Sequence, residues 1–105
     1  MEDITVKDLA ARMKNRDAPI IIDVREPEEY AIARIEGAIL KPLGGITAWA
    51  RDLDHKPEYV MLCHTGMRSA YAAQVLQHMG LKKVRNLIGG IDAWSVYVDR
   101  SVPRY

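Results

Sequence analysis

The chain has 105 residues, 49% of them apolar and 28% charged, and 15 basic side chains against 14 acidic ones leave a formal net charge of +1. That balance lacks the clustered basic excess of a nucleic-acid footprint. One cysteine excludes an intramolecular disulfide framework, and no apolar run approaches the ~20 residues that a membrane-crossing helix needs. The opening Met1-Glu2-Asp3 carries no apolar signal-like core. A cytoplasmic protein, formed as one α/β domain over residues 1–105, is the expectation.

Thr5-Val6-Lys7-Asp8 has the form of a capping box, with Asp8 in the place of the usual Glu or Gln. Val6, Leu9, Ala10 and Met13 follow at helical spacing, which predicts a helix over Val6 to Lys14. After Pro19, the run Ile20-Ile21-Ile22-Asp23-Val24 is apolar on both faces, as a central parallel strand requires. Asp23 and Arg25 lie two apart at the end of that strand and share a side. They are taken as a structural ion pair.

Glu26-Pro27-Glu28-Glu29-Tyr30 opens a helix, with proline in the first turn and acids at the positive end of the dipole. A short strand over Gly37 to Leu40 precedes Pro42, and Ile46 to Leu53 can form a further helix. Asp54-His55-Lys56-Pro57 marks a turn. Trp49, and Trp94 further on, sit on amphipathic stretches and are assigned to the core.

Tyr59-Val60-Met61-Leu62 reads as a buried strand and leads into Cys63-His64-Thr65-Gly66-Met67-Arg68-Ser69. A helix over Ser69 to Met79 is expected, capped by Ser69, with Ala72, Ala73, Leu76 and Met79 as its buried stripe and Gly80 at its C′ position. Lys82, Lys83 and Arg85 form a solvated basic turn. Val84 to Leu87 is the next strand, Gly89-Gly90 a glycine-dependent turn, and Ile91 to Val98 the last helix. Tyr59 to Leu87 thus makes a right-handed βαβ unit. Its cysteine loop lies at the carboxyl end of a strand, where open α/β sheets place their sites.

The loop carries the chemistry. A thiol at a strand-to-helix turn faces free backbone N–H groups and a positive helix end, and both favour the nucleophilic thiolate. Gly66 permits a tight curl, and consecutive N–H groups in a curl converge into an anion nest. Arg68 adds a planar cation, in contact with substrate or ordering the loop. His64, Thr65 and Met67 are placed at the rim, and His64 is read as a contact residue rather than a general base, because adjacent side chains in a curl point apart. Cys63 with His55, His64 or His78 matches no common zinc spacing, so no metal is expected.

Such a cradle suits either a persulfide sulfur or a tetrahedral oxyanion. Cysteine phosphatases use Cys-x5-Arg, whereas here Arg68 is the fifth residue after Cys63, giving Cys-x4-Arg. The shorter loop favours the smaller guest.

Four segments together resemble the single-domain rhodanese, or thiosulfate sulfurtransferase-like, family. They are Ile21 to Tyr30, Ile35-Glu36-Gly37-Ala38-Ile39, the Cys63 to Ser69 loop, and Asn86 to Trp94 with its Asn-Leu-x-Gly-Gly-x-x-x-Trp pattern. Where the family often has histidine before the second segment, this chain has Arg34, a position outside the chemistry.

The resemblance implies a three-layer α/β fold, a mostly parallel sheet with helices on both faces. It implies that Cys63 takes sulfane sulfur from thiosulfate or a persulfide donor, that amides from about His64 to Arg68 hold it, and that cyanide, a thiol or a sulfur-carrier protein removes it. No cofactor, nucleic acid or membrane is involved. The alternatives are a non-catalytic binding module of the same fold and, behind it, a cysteine phosphatase or arsenate reductase.

Overall fold

A computed structural model describes residues 2–105. A five-stranded sheet holds β1 (Glu2–Ile4), β2 (Ile20–Asp23), β3 (Ile39–Leu40), β4 (Tyr59–Leu62) and β5 (Val84–Leu87) in the order β1-β5-β4-β2-β3. Every pairing is parallel. The helices are α1 (Val6–Lys14), α2 (Pro27–Ile32), α3 (Ile46–Trp49), α4 (Met67–His78) and α5 (Gly90–Tyr97). Among the described residues no helix is long and apolar enough to cross a membrane.

The two faces of the sheet follow from the period of two along a strand. Val60 and Leu62 of β4 join Val6, Leu9, Ile91 and Trp94 on the α1–α5 side. Tyr59, Met61 and Cys63 alternate with them and join Ile46, Ala72, Ala73 and Leu76 on the α3–α4 side. All four β4 side chains are buried, which is why this run reads as continuously apolar. Helices therefore cover both faces, as the resemblance implied.

Several local expectations match closely. The Thr5 hydroxyl accepts from the Asp8 N–H at 3.1 Å and caps α1. The Glu26 N–H donates to the Glu29 carboxylate at 3.1 Å at the start of α2. Trp94 is buried, and Gly80 follows the α4 cap Met79. The turn basic groups divide: Lys82 and Lys83 are exposed, whereas Arg85 pairs with Glu58 at 3.1 Å and Glu2 at 3.3 Å.

Four expectations change. β1 is a strand that the polar Glu2-Asp3 did not suggest, and it exists through its register with Arg85, Asn86 and Leu87 of β5. The predicted helix over Ile46 to Leu53 is α3 followed by a 3₁₀ turn at Ala50–Asp52. Helix α4 starts at Met67 rather than Ser69, because Gly66, at φ +109°, is its N-cap. Ser69 is therefore a buried residue of the first turn and not a cap. Finally, Met79 is 38% exposed and leaves the buried stripe to Ala72, Ala73 and Leu76.

The last point has a measurable consequence. Leu76→Ala, at a fully buried site, should cost about 2–5 kcal/mol in chemical denaturation. Met79→Ala on the same helix should cost less than about 1 kcal/mol. Equal losses would contradict the packing of α4.

Candidate active site at the Cys63 loop

Cys63 leaves β4 at the carboxyl edge of the sheet and is only 1% exposed. The chain then curls through His64, Thr65 and Gly66 into α4. The Gly66 N–H donates to Cys63 Sγ at 3.1 Å, and the Ser69 hydroxyl lies 3.2 Å from the same sulfur. The first intrahelical bond of α4 runs from the Ala70 N–H to the Gly66 carbonyl at 3.2 Å. The amides of Met67, Arg68 and Ser69 precede it and are the free donors of a helix start.

Two neighbours hold this curl. Asn86 on β5, pairing in register with Met61, accepts from the Ser69 hydroxyl at 2.5 Å and donates Nδ2 to the Gly66 carbonyl at 3.1 Å. A single hydroxyl proton serves either Asn86 Oδ1 or Cys63 Sγ, so Ser69 is positioned to exchange its partner as the sulfur gains or loses charge. The start of α5 forms the second support. Ile91 N–H donates to the Cys63 carbonyl at 2.9 Å, and Asp92 N–H to the His64 carbonyl at 3.0 Å. Both loop carbonyls are thereby drawn towards α5 and away from the sulfur.

Gly90 makes that contact possible. A Cβ there would lie 2.4 Å from the Cys63 carbonyl oxygen and 2.5 Å from that of His64. The Gly89-Gly90 pair was expected to serve a turn. Its further task is to let helix α5 touch the cysteine loop backbone to backbone.

The rim is more ordered than the sequence implied. The Arg68 guanidinium grips Glu29 of α2 with two bonds of 2.7 and 2.9 Å. Hydrogen bonding to Arg68 pulls the Glu29 carboxyl from its ordinary 4.5 down to about 2, and hydrogen bonding to Glu29 raises the Arg68 pKa in turn. The Tyr105 hydroxyl donates to the same Glu29 carboxylate at 2.8 Å and accepts from Arg25 at 2.9 Å. Its ring stacks on His64, with centroids 4.1 Å apart and planes within 10°.

Arg25 is itself fully buried and paired with Asp23 at 2.6 Å, as the structural reading of these two residues required. It also donates to the Ala33 carbonyl at 2.7 Å. Arg34 lies over the Tyr30 ring, 5.2 Å from its centroid.

The predicted loop residues thus divide by position. Cys63 and Gly66 are buried together, His64 and Arg68 are half-buried at the rim, and Thr65 and Met67 are exposed, Met67 by 82%. No hydrogen bond joins His64 to the sulfur among the described residues. The sequence places Glu29 only as an acid at a helix start and gives Asn86 and Tyr105 no part in the site. Asn86 did stand in a quoted motif, but Tyr105 contacts Arg25 across 80 residues, beyond the reach of any local pattern.

The family model described as the rhodanese-like domain matches residues 5–96. A chloroplastic rhodanese-like/PpiC domain-containing protein of Arabidopsis thaliana is 41% identical across all of this chain, which spans 38% of that protein. A Bacillus subtilis protein named a putative sulfurtransferase is 35% identical over 90% of both chains. The crystal structure of a rhodanese-like domain protein from Staphylococcus aureus superposes with a TM-score of 0.86 at 28% identity, covering 100% of this chain and 99% of that one. Other curated relatives are longer too, and the chain spans half and a quarter of two of them.

Two predictions follow from these supports. Gly90→Ala should destabilise the fold by about 2 kcal/mol or more in denaturant titration, since a backbone clash adds to an unfavourable φ. Gly37→Ala, where φ is +88° but nothing lies within 4 Å, should cost only about 1 kcal/mol. A similar loss at both positions would refute the clash.

Glu29 sets an acid limit. Its pKa is lower in the folded state, so its pairing stabilises the protein above about 4.5 and is lost as pH falls towards about 2. Arg68 is 37% exposed, so solvent screening reduces the increment to about 1 kcal/mol. Unfolding measured at pH 6 and at pH 3 should show this loss in the wild type and not in Glu29→Gln. Parallel curves for the two proteins would rule it out.

Proposed function

The chain belongs to the rhodanese-like domain family, and we propose that it is a sulfurtransferase that carries sulfane sulfur as a persulfide on Cys63. The observation that carries this reading is the direction of the donors around Sγ. Gly66 N–H and the Ser69 hydroxyl approach it within 3.2 Å. Met67, Arg68 and Ser69 contribute the free amides of the α4 start, and the carbonyls of Cys63 and His64 are tied to α5. Negative charge on a sulfur added to Cys63 would be stabilised by donors of this kind.

The reaction needs two displacements. The Cys63 thiolate attacks the outer sulfur of a donor; the new Sγ–S bond forms as the donor's S–S bond breaks, and the inner group leaves with the electron pair. With thiosulfate the leaving group is sulfite, and with an alkyl persulfide it is a thiolate. A nucleophilic acceptor, cyanide or a thiol, then attacks the terminal sulfur and returns Cys63 as thiolate. This is double-displacement covalent catalysis. A sulfur-carrier protein is a fitting physiological acceptor and the cytoplasm a fitting location. Residues 1–105 act as one sulfur-transfer domain.

In this mechanism Cys63 is the nucleophile and Gly66 a donor to it. His64, Thr65, Met67 and Arg68 border the path by which donor and acceptor reach the sulfur. The two displacements are nucleophilic substitutions at sulfur and call for no metal or cofactor.

Intact mass after incubation with a sulfur donor and desalting tests the proposal. The wild type should gain one sulfur atom that cyanide removes, and Cys63→Ser should gain none while keeping its unfolding midpoint. A binding module of the same fold would show no gain although Cys63 still alkylates. Hydrolysis of an aryl phosphate without any sulfur uptake would point to the phosphatase alternative.

A further inference from the structure

Two ion pairs stand beside the cysteine loop, one buried and one at its rim. Arg25 and Arg68 are the cations, and Asp23 and Glu29 are the carboxylates that bond them. Arg68 stands in the first turn of α4, directly after the Cys63 loop, yet both its terminal nitrogens are committed to Glu29. Glu29 is in turn held by the Tyr105 hydroxyl, and Tyr105 by Arg25 and by the His64 ring.

The segment that carries Tyr105 is fastened as well. The Ser95 hydroxyl donates to the Val102 carbonyl, Val102 is buried, and Arg104 pairs with Asp92 at 2.9 Å. The contact is thus built at both ends.

We propose that Glu29, held in place by Tyr105, is a specificity-determining residue that masks Arg68 and turns the Cys63 site away from the thiosulfate dianion towards alkyl persulfide donors. The inference rests on the sulfur-transfer reading of Cys63 and deepens it by naming the donor class. Thiosulfate brings a sulfonate with its charge next to the reacting sulfur. To bind it, the rim must offer an unpaired cation, and Arg68, the cation that follows the loop, is already neutralised by Glu29. An alkyl persulfide carries no sulfonate. Its outer sulfur bonds to Cys63 Sγ, its S–S bond breaks and a thiolate leaves, so the rim has no adjacent oxyanion to match. Tyr105 acts through Glu29 and is a positioning residue.

The test compares the wild type with Glu29→Gln and Tyr105→Phe. Gln keeps an acceptor for Tyr105 but removes the charge that masks Arg68; Phe keeps the stack on His64 and loses the bonds to Glu29 and from Arg25. Steady-state kinetics with thiosulfate and with glutathione persulfide give the ratio of kcat/KM values. Glu29→Gln should raise the thiosulfate-to-persulfide ratio about tenfold, chiefly through a lower KM for thiosulfate, as one added unit of positive charge at a cleft mouth predicts. Tyr105→Phe should move it in the same direction by less.

Alkylation of Cys63 by iodoacetate and by iodoacetamide reads the same field without any sulfur chemistry. The ratio of the two rates cancels changes in thiol reactivity and should rise in Glu29→Gln. Unchanged ratios in both assays, with sulfur transfer intact, would overturn the masking role alone. A raised alkylation ratio in a protein that accepts sulfur from neither donor would leave the masked cation standing and overturn the donor assignment together with the sulfur-transfer reading.

Discussion

The site depends on one backbone contact, the meeting of the α5 start with the carbonyls of Cys63 and His64. A loop that curls around a sulfur must send its amides inward, and its carbonyls then need partners elsewhere. Here the partners are the Ile91 and Asp92 amides, themselves unpaired at a helix start. Two sets of unsatisfied groups thus cancel. The approach is so close that a Cβ at position 90 would meet both carbonyl oxygens, and the contact ties the start of α5 to the end of β4.

Asn86 supplies the complementary constraint from the next strand. Its amide bonds the Gly66 carbonyl and its oxygen takes the Ser69 hydroxyl, so β5 holds both the end of the curl and the first turn of α4. Satisfied polar networks of this kind rigidify a site, because any displacement leaves a buried group without a partner. Among the described residues no buried side-chain nitrogen or oxygen lacks one. The Gly66 N–H is therefore held towards the sulfur by a fixed backbone, and Ser69 needs only to turn its hydroxyl proton from Asn86 as charge develops, so little reorganisation is required for electrostatic stabilisation.

Much of this was legible in the sequence, and the exceptions share a cause. The β-branched run Ile20–Val24 and the apolar Tyr59–Leu62 announce central strands, and the order Cys63, Gly66, Arg68 announces the loop. Strand β1 was hidden because Glu2 and Asp3 are exposed edge residues defined by pairing with distant β5. The start of α4 was misplaced by two residues because a serine cap is a local signal, whereas the left-handed Gly66 and the bond from Ser69 to Asn86 are tertiary. Arg68 was recognised as a rim cation. That a carboxylate 39 residues earlier bonds it is a property of the folded chain only.

The buried Asp23–Arg25 pair links that rim to the core. Two charges removed from water rarely stabilise a fold by their attraction alone. Here the guanidinium also bonds the Glu29 and Ala33 carbonyls and the Tyr105 hydroxyl, so its donors are spent on fixing positions. Through the Glu29 carbonyl it sets the backbone of the residue whose side chain grips Arg68, and through Tyr105 it sets the hydroxyl that orients the same carboxylate. An ion pair at the end of β2 thereby determines where negative charge stands at the mouth of a site built on β4. The sheet places these two strands side by side, Asp23 in register with Leu62, and so converts a cost of burial into a fixed pattern of charge beside the reacting sulfur.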